Sequence, residues 1–387
     1  MCGRSASAAR DSWIGQFYYI EEQSSGTITP GLRPPQIGAL YATLAHRKTT
    51  AEPANIVIPT GTGKTETMLA ILAKERLPRL LVVVPTDALR DQLSRKFQSW
   101  GFLRTFGVVG TTARFPVVGT LKKIPSSVAD VTAFFEPCNV IVTTMAIAGR
   151  APEFIQAALA TACSHLFIDE VHHIKAPTRD AFKVRFAGKP ILQFTATPFR
   201  NDGKLVDGKP IFTYPLRKAQ AEGYFRPIRF KPIVEGFTAL ADVQIAAKAV
   251  EQLRSDLASG LDHLVMARTD DIKRATDVHS IYKVAAPDLN PLPLHSRLTR
   301  AEANHALNAI RTRKSRIIVC VDMLGEGFDL PQLKIAAIHH VHKSLAITLQ
   351  FIVRFTRTLN EVGDATAIAN IAAPGVEGSL RSLLSDV

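Results

Sequence analysis

The stretch NIVIPTGTGKTETMLAI, residues 55–71, holds a Gly-Lys-Thr triplet of the kind that binds phosphate. Glycines let backbone N–H groups approach a phosphate closely, and the start of a following helix adds a favourable dipole. We predict a phosphate-binding loop formed by Thr60, Gly61, Thr62 and Gly63. Lys64 would reach the terminal phosphates, and the Thr65 hydroxyl would ligate Mg²⁺. Ile58 replaces the first glycine of the general fingerprint, so the alternative is a chance glycine-rich turn.

An acidic pair, Asp169 and Glu170, directly follows the apolar run SHLFI. Asp169 would order the Mg²⁺ shell, and Glu170 would orient and deprotonate the attacking water. An Asp-Glu pair by itself is more often a solvated strand end. Downstream of a phosphate loop, the pair predicts a site that hydrolyses ATP with Mg²⁺.

Two arginines near the end of the chain, Arg354 and Arg357, lie three positions apart in a predicted helix at roughly 345–358. Residues with this spacing point to one face of a helix. They could act as arginine fingers that stabilise charge on the γ-phosphate, with Gln350 in the same nucleotide-binding set. The alternative is a solvated basic helix face.

The elements around these residues predict an α/β fold. Short, continuous apolar runs at ANIVIP, RLLVVVP, CNVIVTT, HLFIDE and PILQFTAT alternate with helical segments, and the pattern begins again in the second half. Continuous apolar strands indicate parallel sheets covered on both faces. We therefore predict two α/β lobes in tandem with an ATP cleft between them. The expected divisions are an N-terminal extension (1–30), a first lobe (31–225) and a second lobe (226–387), with the boundary segment near 223–232.

The composition indicates which kind of binding partner and which cellular compartment to expect for this protein. The formal charge of +13, most of it in residues 1–225, suits a polyanion such as nucleic acid, although it could be only a solubilising surface. The four cysteines are far apart, which argues against a disulfide framework or a zinc ribbon. No apolar run reaches the ~18 residues of a membrane helix, and the N-terminus lacks a secretory pattern. The expected location is the cytoplasm, without membrane association.

These residues, together with their surroundings, resemble the superfamily 2 helicases of the DExH type. The likeness covers nearly the whole chain, with the motifs in the family's order. The first half carries LRPPQ (32–36), PTGTGKT (59–65), VVVPTDALRDQ (82–92), VIVTTM (140–145), DEVH (169–172) and TATP (195–198). The second half carries VMART (265–269), LPLHS (292–296), VDMLGEGFDLP (321–331) and QFIVRFTR (350–357), with Val353 at the family's glycine. TATPFRNDG and EGFDLP resemble the type III restriction Res-subunit branch.

The resemblance implies two RecA-like P-loop lobes that bind ATP with Mg²⁺ and move on nucleic acid. Gln36 would read adenine, and the second lobe would add Gly327 and Asp329 to the nucleotide site. The residues implied to hold nucleic-acid phosphates are Thr86, Arg90, Thr143 and Thr144. Those implied to couple the ATP site to nucleic acid are His172, Thr195 and Thr197.

The sequence leaves several functions open. A helicase or translocase on DNA is favoured over one on RNA. Alternatives are a restriction or defence motor that translocates without separating strands, and a truncated copy that binds nucleic acid without turnover. A nuclease, methyltransferase or other subunit is a possible partner. The histidines of HHVH (339–342) are expected to be buried or hydrogen-bonded rather than metal ligands. Phe17, Tyr18 and Tyr19 could stack on adenine or form an apolar packing patch.

Overall fold

The structure is a computed structural model. It describes residues 5–23, 29–170, 176–196, 205–224, 228–321, 330–340 and 363–372. The chain divides into two compact units, Met1–Lys218 and Ala219–Val387. Within the described residues, no helix combines the length and the apolar character needed to cross a bilayer.

The first unit is built on a parallel sheet of seven described strands, in the order β3-β4-β2-β5-β6-β1-β7. Its strands are β1 (Ala54–Val57), β2 (Leu80–Val84), β3 (Val118–Thr120), β4 (Val140–Thr144), β5 (His165–Ile168), β6 (Ile191–Thr195) and β7 (Lys209–Thr213). Its helices are α1 (Ala6–Asp11), α2 (Pro34–Thr49), α3 (Lys64–Glu75), α4 (Asp87–Ser99), α5 (Val128–Phe135), α6 (Met145–Ala148), α7 (Glu153–Ala162) and α8 (Ala176–Val184). The inner strands are buried along their whole length, as a sheet covered on both faces requires.

The second unit holds a parallel sheet of six described strands, in the order β10-β11-β9-β12-β13-β8. Helix α9 (Leu216–Ala221) spans the division between the units. The strands are β8 (Ile228–Ile233), β9 (Leu264–Thr269), β10 (Leu292–Leu294), β11 (Ile317–Val321), β12 (Leu333–Ile338) and β13 (Ala365–Asn370). The helices are α10 (Thr238–Ala258), α11 (Ile272–Ala285) and α12 (Arg300–Arg311). The predicted fold class of two parallel sheets with alternating helices is confirmed.

The edge strands account for most of the differences from the sequence-based expectation. Strands β7 and β8 each contain a proline, Pro210 and Pro232, and both lie at a sheet edge, where a missing N–H is tolerated. The segment 223–232, which the sequence predicted to be a domain boundary, contains most of strand β8. This strand pairs with β13. The predicted boundary after residue 225 stays a prediction.

The N-terminal segment packs onto the first unit through two tryptophans. The indole N–H groups of Trp13 and Trp100 both donate to the Arg114 carbonyl, at 2.8 and 3.1 Å, and the rings meet edge to face. Both indoles are buried. Phe17 and Tyr19 form an aromatic cluster with Tyr41 of α2, in which Tyr19 and Tyr41 stack at 5.3 Å.

Candidate nucleotide and nucleic-acid site

The predicted phosphate-binding loop lies between buried strand β1 and helix α3, which begins at Lys64. Gly61 and Gly63 have φ angles of 95° and 98°, in the left-handed region that favours glycine. The Thr62 hydroxyl donates to the Pro59 carbonyl at 2.7 Å. The Ile58 amide donates to the Thr195 carbonyl of β6 at 3.0 Å. The loop is therefore held at the carboxyl edge of the sheet, while Thr60 and Thr65 remain half-buried beside it.

Gln36 supports the phosphate-binding loop in this structure. Its amide group donates to the Thr62 carbonyl at 3.3 Å, and its side-chain oxygen accepts from the Arg33 amide at 2.8 Å. A Cβ at Gly63 would collide with the Gln36 amide, which gives a steric reason for glycine at that position. The role that the sequence predicts for Gln36, reading adenine, stays a prediction.

The loop lysine and the acidic pair come together although they are more than a hundred residues apart in sequence. Strand β5 ends at Ile168, and Lys64 Nζ forms a buried ion pair with Glu170 Oε1. Glu170 has a φ of 46°, a left-handed conformation that is uncommon for a residue with a side chain. Its amide donates to Asp169 Oδ1 at 3.0 Å, so the two acidic residues are also bonded to each other.

Asp169 is buried, and its amide donates to the Val83 carbonyl of the neighbouring strand β2 at 2.9 Å. Burial raises the pKa of its carboxyl above the ordinary value, although the positive charges of Lys64 and Lys96 act in the opposite direction. A bound cation would offset this desolvation, because it would favour the charged carboxylate.

A second ion pair beside this site was not predicted from the sequence. Lys96 of α4 donates to Glu66 Oε1 in the first turn of α3, at 2.7 Å. The pair ties the two helices together next to the phosphate-binding loop. A Glu two residues after the loop lysine was visible in the sequence, but no pattern identified its partner thirty residues away.

The four residues expected to hold nucleic-acid phosphates differ in their exposure. Thr86 is exposed and caps the N-terminus of α4 through a bond from the Leu89 amide at 3.3 Å. Arg90 is buried, and its guanidinium group is bonded to Asp87 and Asp91. That bond holds the pKa of the Asp91 carboxyl below its ordinary value.

Thr143 and Thr144 are both buried at the end of β4. The Thr143 hydroxyl donates to the Leu121 carbonyl at 3.2 Å, directly after strand β3. In this structure Thr143 therefore supports the turn that follows β3. The next two residues, Lys122 and Lys123, are exposed cations at that edge of the sheet, and the motif-based reading missed them because adjacent lysines are common on surfaces.

Thr195 is buried at the end of β6 and joins the phosphate-loop strand through its carbonyl. The other predicted residues lie outside the described part of the chain: His172, Thr197, Gly327, Asp329, Gln350, Arg354 and Arg357. The predicted helix at 345–358 lies outside it as well.

The histidines of HHVH that the structure describes are hydrogen-bonded or near a carboxylate. His339 is buried between Asp242 and Tyr282, and His340 Nδ1 lies 3.4 Å from a carboxylate oxygen of Asp270. Across the described residues, no group of three or more His, Cys, Asp and Glu side chains could hold a metal ion. The oxygen donors Thr65 and Asp169 suit Mg²⁺, which usually keeps several waters and is shared with substrate phosphates. This donor set fits Mg²⁺ that arrives with a nucleotide.

Two family models match the chain. Residues 29–200 match the type III restriction enzyme Res subunit, and residues 248–358 match the helicase conserved C-terminal domain. Both candidate site regions, around Lys64 and around Arg354, fall within these matches.

Individual proteins are also similar to the chain in sequence or in fold. The chain is 24% identical over 296 residues to the ATP-dependent DNA helicase RecG of Synechocystis sp., covering 73% of this chain and 32% of RecG. A fragment of a putative HsdR subunit of a type I restriction enzyme from Vibrio vulnificus superposes with a TM-score of 0.67 at 16% identity, over 97% of this chain and 69% of the fragment. Mss116p bound to single-stranded RNA superposes with a TM-score of 0.62 at 18% identity, over 92% of this chain and 73% of the Mss116p chain. The chain spans less than a third of the length of the curated relatives it matches.

The two parallel sheets and the two matched domains together define the class of the fold, a pair of helicase-type domains in one chain. Residues 29–200 are similar to the type III restriction enzyme Res subunit, and residues 248–358 are similar to the helicase conserved C-terminal domain.

Proposed function

We propose that this protein hydrolyses ATP with Mg²⁺ and uses the reaction to move along, or unwind, DNA. The observation that carries the proposal is the buried contact between Lys64 of the phosphate-binding loop and Glu170 of the acidic pair. A lysine that binds phosphate and a carboxylate that activates water must both lie within reach of the terminal phosphate, and the contact brings these two side chains together.

In this structure Lys64 is paired with the Glu170 carboxylate. Lys64 would exchange the Glu170 carboxylate for the terminal phosphates, and Glu170 would then be available to orient and deprotonate water. In that exchange a phosphate would replace the anionic partner of Lys64, and Glu170 would lose Lys64 as its cationic partner. A Glu170 carboxylate that is paired with Lys64 would be less able to deprotonate water than one that Lys64 has left.

Thr65 and Asp169 would hold Mg²⁺ from the protein side, and Thr60 to Gly63 would surround the phosphates. When bound, Mg²⁺ neutralises charge that develops on the phosphate oxygens. Gln36 would contact the adenine, and Gly327, Asp329 and Gln350 would add to the nucleotide site. Arg354 and Arg357 would stabilise the γ-phosphate charge in the transition state. His172, Thr195 and Thr197 would couple that site to nucleic acid.

Nucleic acid would lie along the carboxyl edge of the first sheet. Exposed Thr86 would contact the backbone there, and buried Arg90, Thr143 and Thr144 would shape the same edge. Contacts to phosphates do not depend on base identity, which suits a protein that moves along a strand.

DNA is the proposed track, because RecG, to which the chain is 24% identical, is named as an ATP-dependent DNA helicase. The test is phosphate release measured side by side with single-stranded DNA, duplex DNA and RNA. We expect DNA to stimulate release more than RNA at equal nucleotide concentration. Strong stimulation by RNA alone would overturn the DNA assignment.

A second candidate is a motor of a restriction or defence system that translocates without separating strands. The Res-subunit match and the HsdR likeness favour it. The two candidates separate in an assay that pairs phosphate release with release of a labelled strand. Duplex-stimulated hydrolysis without strand release would identify the translocase, and a nuclease or methyltransferase subunit would then be the partner to seek.

A further inference from the structure

A second lysine, Lys96, lies beside the predicted phosphate-binding loop, and the proposed reaction does not use it. It belongs to the last turn of α4, and its Nζ lies 2.7 Å from Glu66 Oε1 in the first turn of α3. The Glu66 side chain is 8% exposed and that of Lys96 is 31% exposed. Because a buried carboxylate is costly to leave without a cation, Lys96 balances a charge that the protein keeps away from water.

The end of α4 fixes the position of Lys96. Trp100, which follows the helix, has a φ of 61°, and its indole is buried. The amides of Trp100 and Gly101 both donate to the Lys96 carbonyl, the second at 2.9 Å. A Cβ at Gly101 would lie 3.0 Å from Leu69 Cδ1 and 3.5 Å from Glu66 Oε1, so glycine lets this end of α4 approach α3 closely.

The Glu66 carboxylate lies in the turn of α3 that directly follows the phosphate-binding loop. The start of a helix carries a partial positive charge, which stabilises an anion placed there. Glu66 would therefore share this positive end with the phosphates of a nucleotide. Two anions repel each other, most strongly where water is excluded, so an unpaired Glu66 would oppose phosphate binding.

The charge of Lys96 also acts on the acidic pair. Burial raises the pKa of the Asp169 carboxyl, and the positive charges of Lys64 and Lys96 both act to lower it. The site therefore combines two lysine–glutamate pairs, Lys64 with Glu170 and Lys96 with Glu66, and both lysines act on the same aspartate.

We propose that Lys96 is a positioning residue of the nucleotide site, which neutralises Glu66 and so keeps the start of α3 able to bind phosphate. The inference rests on the proposed ATP site at Lys64, and Lys96 lies beyond the VVVPTDALRDQ motif at 82–92. The alternative is a purely structural tie between α3 and α4. A tie is lost whichever partner is removed, whereas an electrostatic role depends on which charge remains.

Equilibrium binding of a fluorescent ADP analogue with Mg²⁺ distinguishes the two roles. Lys96→Gln leaves the Glu66 carboxylate unpaired and should weaken binding by about tenfold. Glu66→Gln removes the competing anion and should leave binding unchanged or tighter. Lys96→Arg keeps the charge, and Glu66→Gln/Lys96→Gln restores the charge balance, so both should bind within about twofold of the unaltered protein.

The matched control is an ion pair at the other end of the same helix. Arg47 Nη1 lies 2.7 Å from a carboxylate oxygen of Glu75, the last residue of α3. Arg47→Gln removes this partner of Glu75, roughly 13 Å along the helix from Glu66, and should change the affinity by less than about twofold. Thermal unfolding of each variant sets the temperature of the binding measurement, well below the lowest midpoint, so that every sample is folded.

Equal weakening in Lys96→Gln and Glu66→Gln, without recovery in the double variant, would overturn the inference and leave a tie between helices. A loss in Arg47→Gln equal to that in Lys96→Gln would overturn it as well. The expected order of affinities in a protein that releases no phosphate would support the inference and refute the proposed function. Phosphate release on DNA with equal affinities in all variants would overturn this inference alone.

Discussion

Two buried polar clusters lie at the carboxyl ends of strands, one in each unit, and they differ in how their charges are balanced. In the first unit, after β5, Lys64 and Glu170 neutralise each other beside Asp169, whose carboxyl pKa is raised by burial. In the second unit, after β12, His339 Nδ1 is 2.9 Å from Asp242, and Tyr282 is 3.2 Å from His339 Nε2.

The second cluster also fixes the backbone. Arg274 donates to Asp242 Oδ1 at 3.0 Å and to the His339 carbonyl at 2.7 Å. Burial lowers the pKa of His339 and raises that of Tyr282, so both remain neutral near pH 7. What distinguishes the first cluster is the loop beside it, in which Gly61 and Gly63 have positive φ angles.

Removing the charges of the first cluster should have the largest effect. Glu170→Gln should lower the kcat for ATP by roughly a thousandfold, because the base that activates water is lost. ATP should still bind, since glutamine no longer holds Lys64. Lys64→Ala should abolish turnover as well, but with weaker ATP binding. Steady-state phosphate release and equilibrium binding of a fluorescent ATP analogue measure the two effects.

The control for these variants comes from the second cluster. Tyr282→Phe removes one hydroxyl from a buried hydrogen bond and should leave the kcat within about twofold. A wild-type rate in Glu170→Gln would refute the assignment of Glu170 as the base. An equal loss of rate in Tyr282→Phe would remove the distinction between the two clusters.

The next largest effect is expected on stability, in the second cluster. Asp242→Ala leaves Arg274 and His339 without their shared carboxylate and should cost about 3 kcal/mol of unfolding free energy in the second unit. Amide exchange of β12 and β13 measures that loss. The kcat per folded molecule should stay close to that of the unaltered protein. A fall in kcat comparable to that of Glu170→Gln, without faster exchange, would instead make Asp242 part of the reaction.

The sequence predicted the central strands of both sheets, because buried parallel strands are continuous apolar runs that nothing else in the chain resembles. It did not identify β3 or β7, because an edge strand is short or half-exposed and lacks that run. The strand, glycine turn and helix at 54–75 were predictable for a different reason, because the glycines mark a tight turn between an apolar run and a helical segment. Phosphate binding by this loop stays a prediction.

Side-chain partners were much harder to predict than elements. Arg90 is paired with Asp87 and Asp91, which lie within one helical turn, and the sequence did not predict these partners. Its predicted contact with nucleic acid stays a prediction. Several partners compete for a guanidinium group, and the sequence contains no rule that ranks them. The ion pair between Lys96 and Glu66 was also not predictable from the sequence, because it depends on how α3 and α4 pack.

A third buried group, His165, lies at the amino ends of the strands of the first sheet, and it stays uncharged near neutral pH. His165 begins β5, and burial together with the positive charges of Arg47 and Lys189 lowers its pKa to about 3. As pH falls below about 6.5, the unfolded chain binds a proton that the folded protein does not. Stability of the first unit should therefore fall by about 2 kcal/mol from this group between pH 7.5 and 5.

His165→Gln should remove that part of the pH dependence. Denaturant unfolding followed by tryptophan fluorescence measures it, because both tryptophans of the chain, Trp13 and Trp100, are buried in the first unit. The relevant quantity is the difference between the two pH values for each protein, so a uniform loss of stability in the variant does not affect the result. Parallel pH profiles for the two proteins would contradict the assignment to His165.

The smallest effect is expected where the charges are exposed rather than buried. Lys122 and Lys123 follow β3 at the carboxyl edge, and Thr143 supports the turn before them. If they contact phosphates, Lys122→Gln/Lys123→Gln should weaken binding of single-stranded DNA by about tenfold and reduce the salt dependence by about 1.4 in log–log slope.

The matched control for this pair is Lys48→Gln/Arg76→Gln, which removes the same charge from exposed positions where α2 and α3 lead into the amino ends of strands. Long-range attraction alone would make the two double variants equal, because the net charge changes identically. A direct contact changes the slope only in the Lys122/Lys123 variant, since only released counterions contribute to it. Equal slopes, measured by fluorescence anisotropy across a salt series, would therefore exclude the turn after β3 from the nucleic-acid contact while leaving the ATP site unaffected.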